Sequence, residues 1–87
     1  MEVEWDDRKA RSNQEKHGIA FEEAATCLLD PNALVQEDGL SSRESRWILM
    51  GLSSRVRLLT VVYTLRGDRI RLISARKATR KEARQYA

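Results

Sequence analysis

The side chains best suited to chemistry in this chain are one histidine and a dense group of cations near the C-terminus. His17 is the only histidine, and imidazole is the side chain that titrates near neutral pH when unperturbed, so His17 is the candidate for acid–base chemistry. Lys9 lies two helical turns earlier and can share a helix face with it. Arg76 belongs to the cationic group, and arginine meets phosphate oxygens through two parallel hydrogen bonds without losing its charge. These residue types favour an anionic partner.

Each of these side chains also has a purely structural interpretation. A histidine at the end of a helix often only satisfies the last carbonyl groups, and a basic patch can hold a phosphate backbone without catalysis. Tyr63 can stack on a nucleic-acid base or donate a proton, but its place on an apolar central strand favours a core position. Both interpretations stay open for His17, Arg76 and Tyr63.

Charge is distributed unevenly along the 87 residues. Residues 1–44 hold five Lys or Arg and eleven Asp or Glu, a net charge of −6, whereas residues 45–87 hold eleven and two, a net charge of +9. A basic half of this density raises the local concentration of nucleic acid. The alternative is that the two halves neutralise each other across the fold.

Composition predicts one soluble domain over residues 1–87. An apolar fraction of 41% with 33% charged residues is typical of a globular fold. No stretch is long and apolar enough for a membrane span, and the acidic N-terminus does not resemble a signal peptide. The single cysteine, Cys27, fits a reducing compartment, so a cytoplasmic location is expected. The protein is expected to bind no metal or cofactor.

Periodicity and turn chemistry predict an α+β domain in the order β-α-α-β-β-β-β-α. Asp6 is expected to cap a first helix over about residues 7–17, which Gly18 ends. Thr79-Arg80-Lys81-Glu82 has the capping-box form, so a last helix is expected from about residue 80. Helices grouped before an antiparallel meander favour helices packed on one face of the sheet. The other predicted elements are a strand at Glu2–Trp5, a helix at Phe21–Leu29, strands at Ala33–Val35, Arg46–Leu52, Leu58–Leu65 and Arg69–Lys77, and a polar turn at Glu37–Ser42.

Four blocks of residues, in the same order, resemble the BrnT family of bacterial type II toxins. Trp5-Asp6-Asp7-Arg8-Lys9 is similar to the family's opening Trp-Asp-x-x-Lys, although a proline often stands where Asp7 does. Lys16 to Ala24 matches the segment Lys-His-Gly-x-x-Phe-x-Glu-Ala. The remaining similarities are the strand residues 61–66 and 71–78, and the Glu-x-x-x-Tyr spacing of Glu82 and Tyr86.

The resemblance implies a fold similar to that of the RelE ribonucleases and an endoribonuclease that blocks translation. It also implies a cognate antitoxin, usually a ribbon-helix-helix protein similar to BrnA, whose complex with the toxin represses their operon. In that complex the antitoxin contributes the contacts to operator DNA. The alternatives are a non-catalytic nucleic-acid-binding or co-repressor module and a protein whose basic face only receives an acidic partner.

For a ribonuclease that needs no metal, the resemblance suggests roles for particular residues. A base must take the proton of the 2′-hydroxyl, an acid must protonate the leaving oxygen, and cations must stabilise the charge between them. His17 and Lys9 are the acid–base candidates and Arg76 the cation, while Glu23 fills the family's glutamate position and would orient Lys9 or His17. The residues expected to bind RNA are Arg66, Arg69, Arg71, Lys77, Arg80, Arg84 and Tyr63, with Arg55 and Arg57 assisting at a turn.

Overall fold

The computed structural model describes residues 2–39 and 45–86 and has an α+β fold, which confirms the predicted fold class. A 3₁₀ turn over Cys27–Leu29 follows the second helix, so the predicted helix Phe21–Leu29 is divided in two. The elements are β1 (Glu2–Glu4), α1 (Asp7–His17), α2 (Phe21–Thr26), β2 (Leu34–Asp38), β3 (Arg46–Leu52), β4 (Leu58–Arg66), β5 (Arg69–Lys77) and α3 (Arg80–Ala83).

Both ends of α1 have the caps that its sequence predicts. The Asp6 carboxylate accepts hydrogen bonds from the backbone N–H groups of Arg8, at 2.7 Å, and Lys9, at 3.4 Å. At the other end Gly18 has φ of 70°, a left-handed conformation that costs glycine little, and its N–H bonds to the carbonyl of Gln14. These caps limit the helix to three turns, with Lys9 in its first turn and His17 in its last.

The five strands form one sheet in the order β1-β5-β4-β3-β2. Strands β2 to β5 make the expected antiparallel meander, but β1 joins β5 in parallel, with Glu2 opposite Arg69 and Glu4 opposite Arg71. The expectation of a purely antiparallel sheet is therefore wrong at β1. Helices α1 and α2 carry the chain away from β1, and at the edge of β5 Val3 pairs with the apolar residue Ile70.

The main core lies between the sheet and the helices α1 and α2. Trp5 and Trp47 pack against it partly buried, and Trp5 meets Phe21 edge-to-face with ring centroids 6.0 Å apart. Cys27 is fully buried, in agreement with a packing role. The fully or nearly fully buried apolar residues of this core are Ile19, Phe21, Ala24, Cys27, Leu49, Leu59, Val61, Tyr63, Leu72 and Ala75.

Helix α3 packs on the opposite face of the sheet, so the expectation that all helices share one face is wrong. Glu82 of α3 contacts Thr60 and Arg76, whose sequence neighbours Leu59 and Ala75 belong to the core on the other face. Side chains of successive strand residues point to opposite faces, so the contact partners of α3 lie away from α1 and α2. The capping box at Thr79 and Glu82 is present as predicted.

Strand β2 is longer than predicted and includes Glu37 and Asp38, which were expected in a turn. Both residues pair with β3, opposite Trp47 and Arg46. Backbone pairing with β3 keeps these polar residues in an exposed edge strand. The rest of the predicted turn, residues 40–42, lies outside the described residues. No helix in the described part of the chain is long and apolar enough to cross a membrane.

Candidate functional site

A shallow cavity of about 260 Å³ lies where α1 meets β5. Helix α1 contributes Lys9 and His17 to it, as the shared-face prediction requires, and the strand contributes Ser74. The helical residues at this cavity lie three, four, seven and eight positions after Lys9, which places them on one face of the helix. The full lining is Lys9, Ser12, Asn13, Lys16, His17, Ile73 and Ser74.

The cavity is cationic and open to solvent. Lys9, Lys16 and His17 are exposed, and within residues 2–39 and 45–86 their side chains make no hydrogen bond or ion pair. The structural interpretation of His17, in which its ring satisfies the helix carbonyls, is therefore not the arrangement seen; Gly18 does this through its backbone N–H. Two ammonium groups and an imidazole at one cavity can attract a phosphate and exchange protons with it.

Asn13 joins the two walls of this cavity. Its side-chain amide donates to the carbonyls of Ile19, at 3.0 Å, and Ala75, at 2.8 Å, and its oxygen accepts from the Ala75 N–H at 3.0 Å. Strand β1 pairs only with Arg69 to Arg71, so it does not cover β5 at Ala75. The asparagine side chain thus binds the backbone of β5 at an edge that no strand within the described residues covers.

Arg76 lies two residues beyond Ser74 on β5, and its guanidinium contacts α3 on the face of the sheet away from α1 and α2. Its guanidinium binds Glu82 through two hydrogen bonds, of 2.8 and 2.9 Å. Together with Thr60 and the Thr79 N–H, this pairing holds the pKa of Glu82 down at about 2, with the Arg76 bonds as the largest cause. The same bonds raise the pKa of Arg76, which keeps it cationic. Arg76 is therefore not among the residues that line the cavity, and its guanidinium already has an anionic partner.

The arginines at the start of β5 are also paired. Arg71 binds Glu4 at 2.8 Å, and Arg69 lies 3.3 Å from Glu4 and 3.2 Å from Glu2. These bonds lower the pKa of Glu4, mainly through Arg71. The acidic first strand and the basic last strand thus neutralise each other locally, as the alternative to nucleic-acid binding predicts for this part of the surface.

Glu23 does not lie against Lys9 or His17, so the expected orienting contact is absent. Its carboxylate is almost fully buried, accepts from Ser53 at 2.7 Å, and forms a two-point ion pair with Arg57 that includes an Nε bond of 2.9 Å. These partners lower the pKa of Glu23 to about 2, with the Arg57 bonds as the largest cause. Arg57 comes from the β3–β4 connection, where the sequence suggested an RNA contact instead.

The other predicted RNA-binding residues are scattered. Tyr63 is only 9% exposed and packs in the core, which raises its pKa and leaves no face for base stacking, so that expectation is wrong. Arg66 is exposed where β4 ends. Lys77, Arg80 and Arg84 are exposed at the end of β5 and on α3, and in the described parts of the chain they make no ion pair.

The sequence interpretation missed Ser12, Asn13, Lys16 and Ser74 at the cavity. Asn13 and Lys16 carried a signal, because residues 9, 13 and 17 lie four apart and residue 16 falls beside them on a helix. No local pattern indicated Ser74, since its place opposite α1 depends on the packing of β5 against the helix.

Comparison with known proteins decides the family. The profile of a family described as "Ribonuclease toxin, BrnT, of type II toxin-antitoxin system" matches residues 5–82. The chain belongs to the BrnT family. It is therefore a member of a family of ribonuclease toxins of type II toxin–antitoxin systems, and a type II system implies an antitoxin partner.

A solved structure of the family has the same fold. The 1.1 Å crystal structure of the Brucella abortus ribonuclease toxin BrnT aligns with a TM-score of 0.71 and 24% sequence identity, over 92% of this chain and 99% of that one. A comparison with curated proteins gives no match. The two chains therefore share their fold at 24% sequence identity.

Proposed function

We propose that this BrnT-family chain is a metal-independent endoribonuclease whose active site is the cavity between α1 and β5. The observation that carries the proposal is that Lys9, Lys16 and His17, distributed over three helical turns, open onto one cavity against Ser74. Three cationic or titratable groups at one solvent-accessible point suit a phosphodiester better than any neutral ligand.

The chemistry proposed here is attack of the 2′-hydroxyl on the adjacent phosphorus. One of the pair His17 and Lys9 takes the 2′-hydroxyl proton, and the other protonates the departing 5′-oxygen. The products are a 2′,3′-cyclic phosphate and a 5′-hydroxyl end. Lys16 supplies positive charge to the phosphate oxygens as the transition state forms.

Arg76 serves the same reaction by binding RNA phosphate next to Ser74. Successive positions on one side of a strand are about 7 Å apart, which approximates the distance between neighbouring phosphates of an extended strand. A phosphate reaching Arg76 must compete with the Glu82 carboxylate, so RNA binding and the attachment of α3 are linked. Lys77, Arg80 and Arg84 extend the path for the RNA backbone beyond this point.

In the cell, the proposed cleavage inhibits translation, and a ribbon-helix-helix antitoxin of the BrnA type neutralises it. The toxin–antitoxin complex represses its own operon in the cytoplasm, with the antitoxin holding operator DNA. What supports this part is membership of a type II toxin family, whose activity must be held in check during growth.

The test is cleavage of a defined RNA by the purified protein in EDTA, with the product ends identified by mass spectrometry. Lys9→Ala and His17→Ala should each lower the cleavage rate about 10²- to 10⁴-fold, the usual contribution of a general acid or base. Arg11→Ala is the matched control, because it removes an exposed cation of the same helix that does not line the cavity. Cleavage that needs a divalent metal, or that survives both cavity substitutions, would refute the proposal. RNA binding without cleavage would instead support the non-catalytic binding module.

A further inference from the structure

We infer that Asn13 is a positioning residue of the ribonuclease site: its side-chain amide sets the placement of Lys9 and His17 against β5. The effect on catalysis rests on the proposed function, whereas the placement of α1 against β5 by Asn13 does not depend on it. Asn13 is only 6% exposed, and its side chain hydrogen-bonds to the backbone of Ile19 and Ala75. It therefore acts on the site through other residues.

The position of Asn13 in the helix is the first reason. Lys9, Asn13 and His17 are spaced by four residues, so they lie on one face with Asn13 in the middle. A fixed point at Asn13 therefore limits the sliding and rotation of both outer residues relative to the strand. Without it, α1 would be held to the sheet mainly by apolar contacts, which are not directional.

The hydrogen-bonding pattern is the second reason, because only an asparagine satisfies all three partners. The Ala75 N–H needs an acceptor, whereas the carbonyls of Ala75 and Ile19 need donors. Aspartate would place negative charge against both carbonyls, alanine would leave three backbone groups unpaired, and glutamine is one methylene too long for the same placement. Ile19 follows Gly18, so the same side chain also fixes the chain immediately after His17.

The strand side of the contact is the third reason. Ala75 lies between Ser74, which lines the cavity, and Arg76, which lies beyond it. Because Asn13 binds both backbone groups of Ala75, it fixes the position of Ser74 and Arg76 along β5 relative to α1. A register shift between β4 and β5 occurs just before this point, at Val62/Tyr63, so the regular ladder alone does not determine the position of the outer edge.

The experiment compares Asn13→Asp and Asn13→Ala with the wild type, and with Thr26→Val as a matched control. The Thr26 hydroxyl donates to the Glu23 carbonyl within α2 and accepts from the Ser54 N–H of the β3–β4 turn, so its loss weakens the fold away from the cavity. Cleavage is measured below each variant's unfolding transition. A positioning role predicts a fall in kcat of about 10- to 100-fold with KM little changed. A merely structural role predicts wild-type kcat in every folded variant, as for Thr26→Val.

A second measurement separates this inference from the proposed function. NMR titration with an uncleavable 2′-deoxyoligonucleotide follows the His17 ring protons and the Ser74 amide. In the wild type both signals should shift with one Kd. In the Asn13 variants the Kd of this joint response should be at least tenfold higher. If the wild type shows the joint response but cleaves no RNA, the proposed function fails and the positioning role stands. An unchanged joint response in the Asn13 variants, its absence in the wild type, or wild-type kcat in the variants would overturn the inference.

Discussion

Substitution of Glu23 by glutamine should destabilise the fold in a strongly pH-dependent way. The carboxylate is buried and receives hydrogen bonds from Arg57 and Ser53, so its charged form is held more favourably in the folded chain than in the unfolded one. Glutamine keeps the shape but removes the charge, and its amide nitrogen faces the Arg57 guanidinium. Arg57 then remains as a partly buried cation without its partner.

The size of the effect follows from the pKa of Glu23, which falls from an ordinary 4.5 to about 2. At 1.36 kcal/mol per pKa unit, this difference corresponds to about 3 kcal/mol of stability when the carboxylate is ionised. The loss expected from breaking a buried ion pair, about 3–5 kcal/mol, is similar. Because the folded pKa is the lower one, this stability is complete above pH 4.5 and is lost as the pH falls towards 2.

The assay is urea denaturation of the wild type, Glu23→Gln and Glu22→Gln at several pH values. Glu22 is exposed in the same helical turn, so its substitution removes the same charge without breaking a buried pair. For a domain of this size, with a urea m-value of about 1 kcal/mol/M, a loss of about 3 kcal/mol moves the midpoint by about 3 M.

The refuting result is a difference between wild type and Glu23→Gln below about 1 kcal/mol at pH 7, the range of an exposed ion pair. A difference that stays constant from pH 7 to pH 2.5 would equally contradict the reasoning, because it would show that the charge of Glu23 does not supply the stability. Wild-type stability should also fall in this window because of Glu82, so the difference between proteins is the quantity to follow.

Three further substitutions or modifications test particular positions. Val56→Gly should stabilise the fold by about 1 kcal/mol in thermal unfolding, since Val56 is exposed and has φ of 59°, which a β-branched residue adopts only with strain. Gly51→Ala should lower the melting temperature, because its Cβ would lie 3.0 Å from the Cys27 carbonyl oxygen and 3.1 Å from Leu49 Cδ2. Burial raises the pKa of Cys27 to about 11, so at pH 8 iodoacetamide should modify the folded chain far more slowly than the chain in urea.

Local features of this fold could be predicted from the sequence because each depends on a few adjacent residues. The Asp6 cap, the glycine that ends α1, and the capping box at Thr79 and Glu82 are determined within one helical turn. The shared face of Lys9 and His17 follows from helical geometry alone, and the structure places both residues at one cavity.

The errors concern partners that are far apart in the chain. Glu23 was expected beside α1, but its partner Arg57 lies 34 residues later and reaches it only because the β3–β4 turn packs against α2. Nothing local distinguishes an arginine that binds RNA from one that pairs with a distant glutamate, as Arg69 and Arg71 do with β1. The parallel placement of β1 depends on which edge of the sheet is open, and the position of α3 on which face is open. Both are properties of the assembled sheet and not of a local sequence pattern.

The parallel pairing of β1 with β5 makes the order of synthesis important. Glu2 can pair with Arg69 only after more than sixty further residues have been synthesised, and the same holds for the hydrogen bonds of Asn13 with Ala75. At about 5–20 residues per second, a ribosome needs roughly 3–13 s to synthesise the intervening chain. During that interval the nascent polypeptide carries Lys9 and His17 but has no last strand to oppose them. The cavity therefore assembles only after synthesis has passed the C-terminal strand, so an incomplete chain on the ribosome has no formed site.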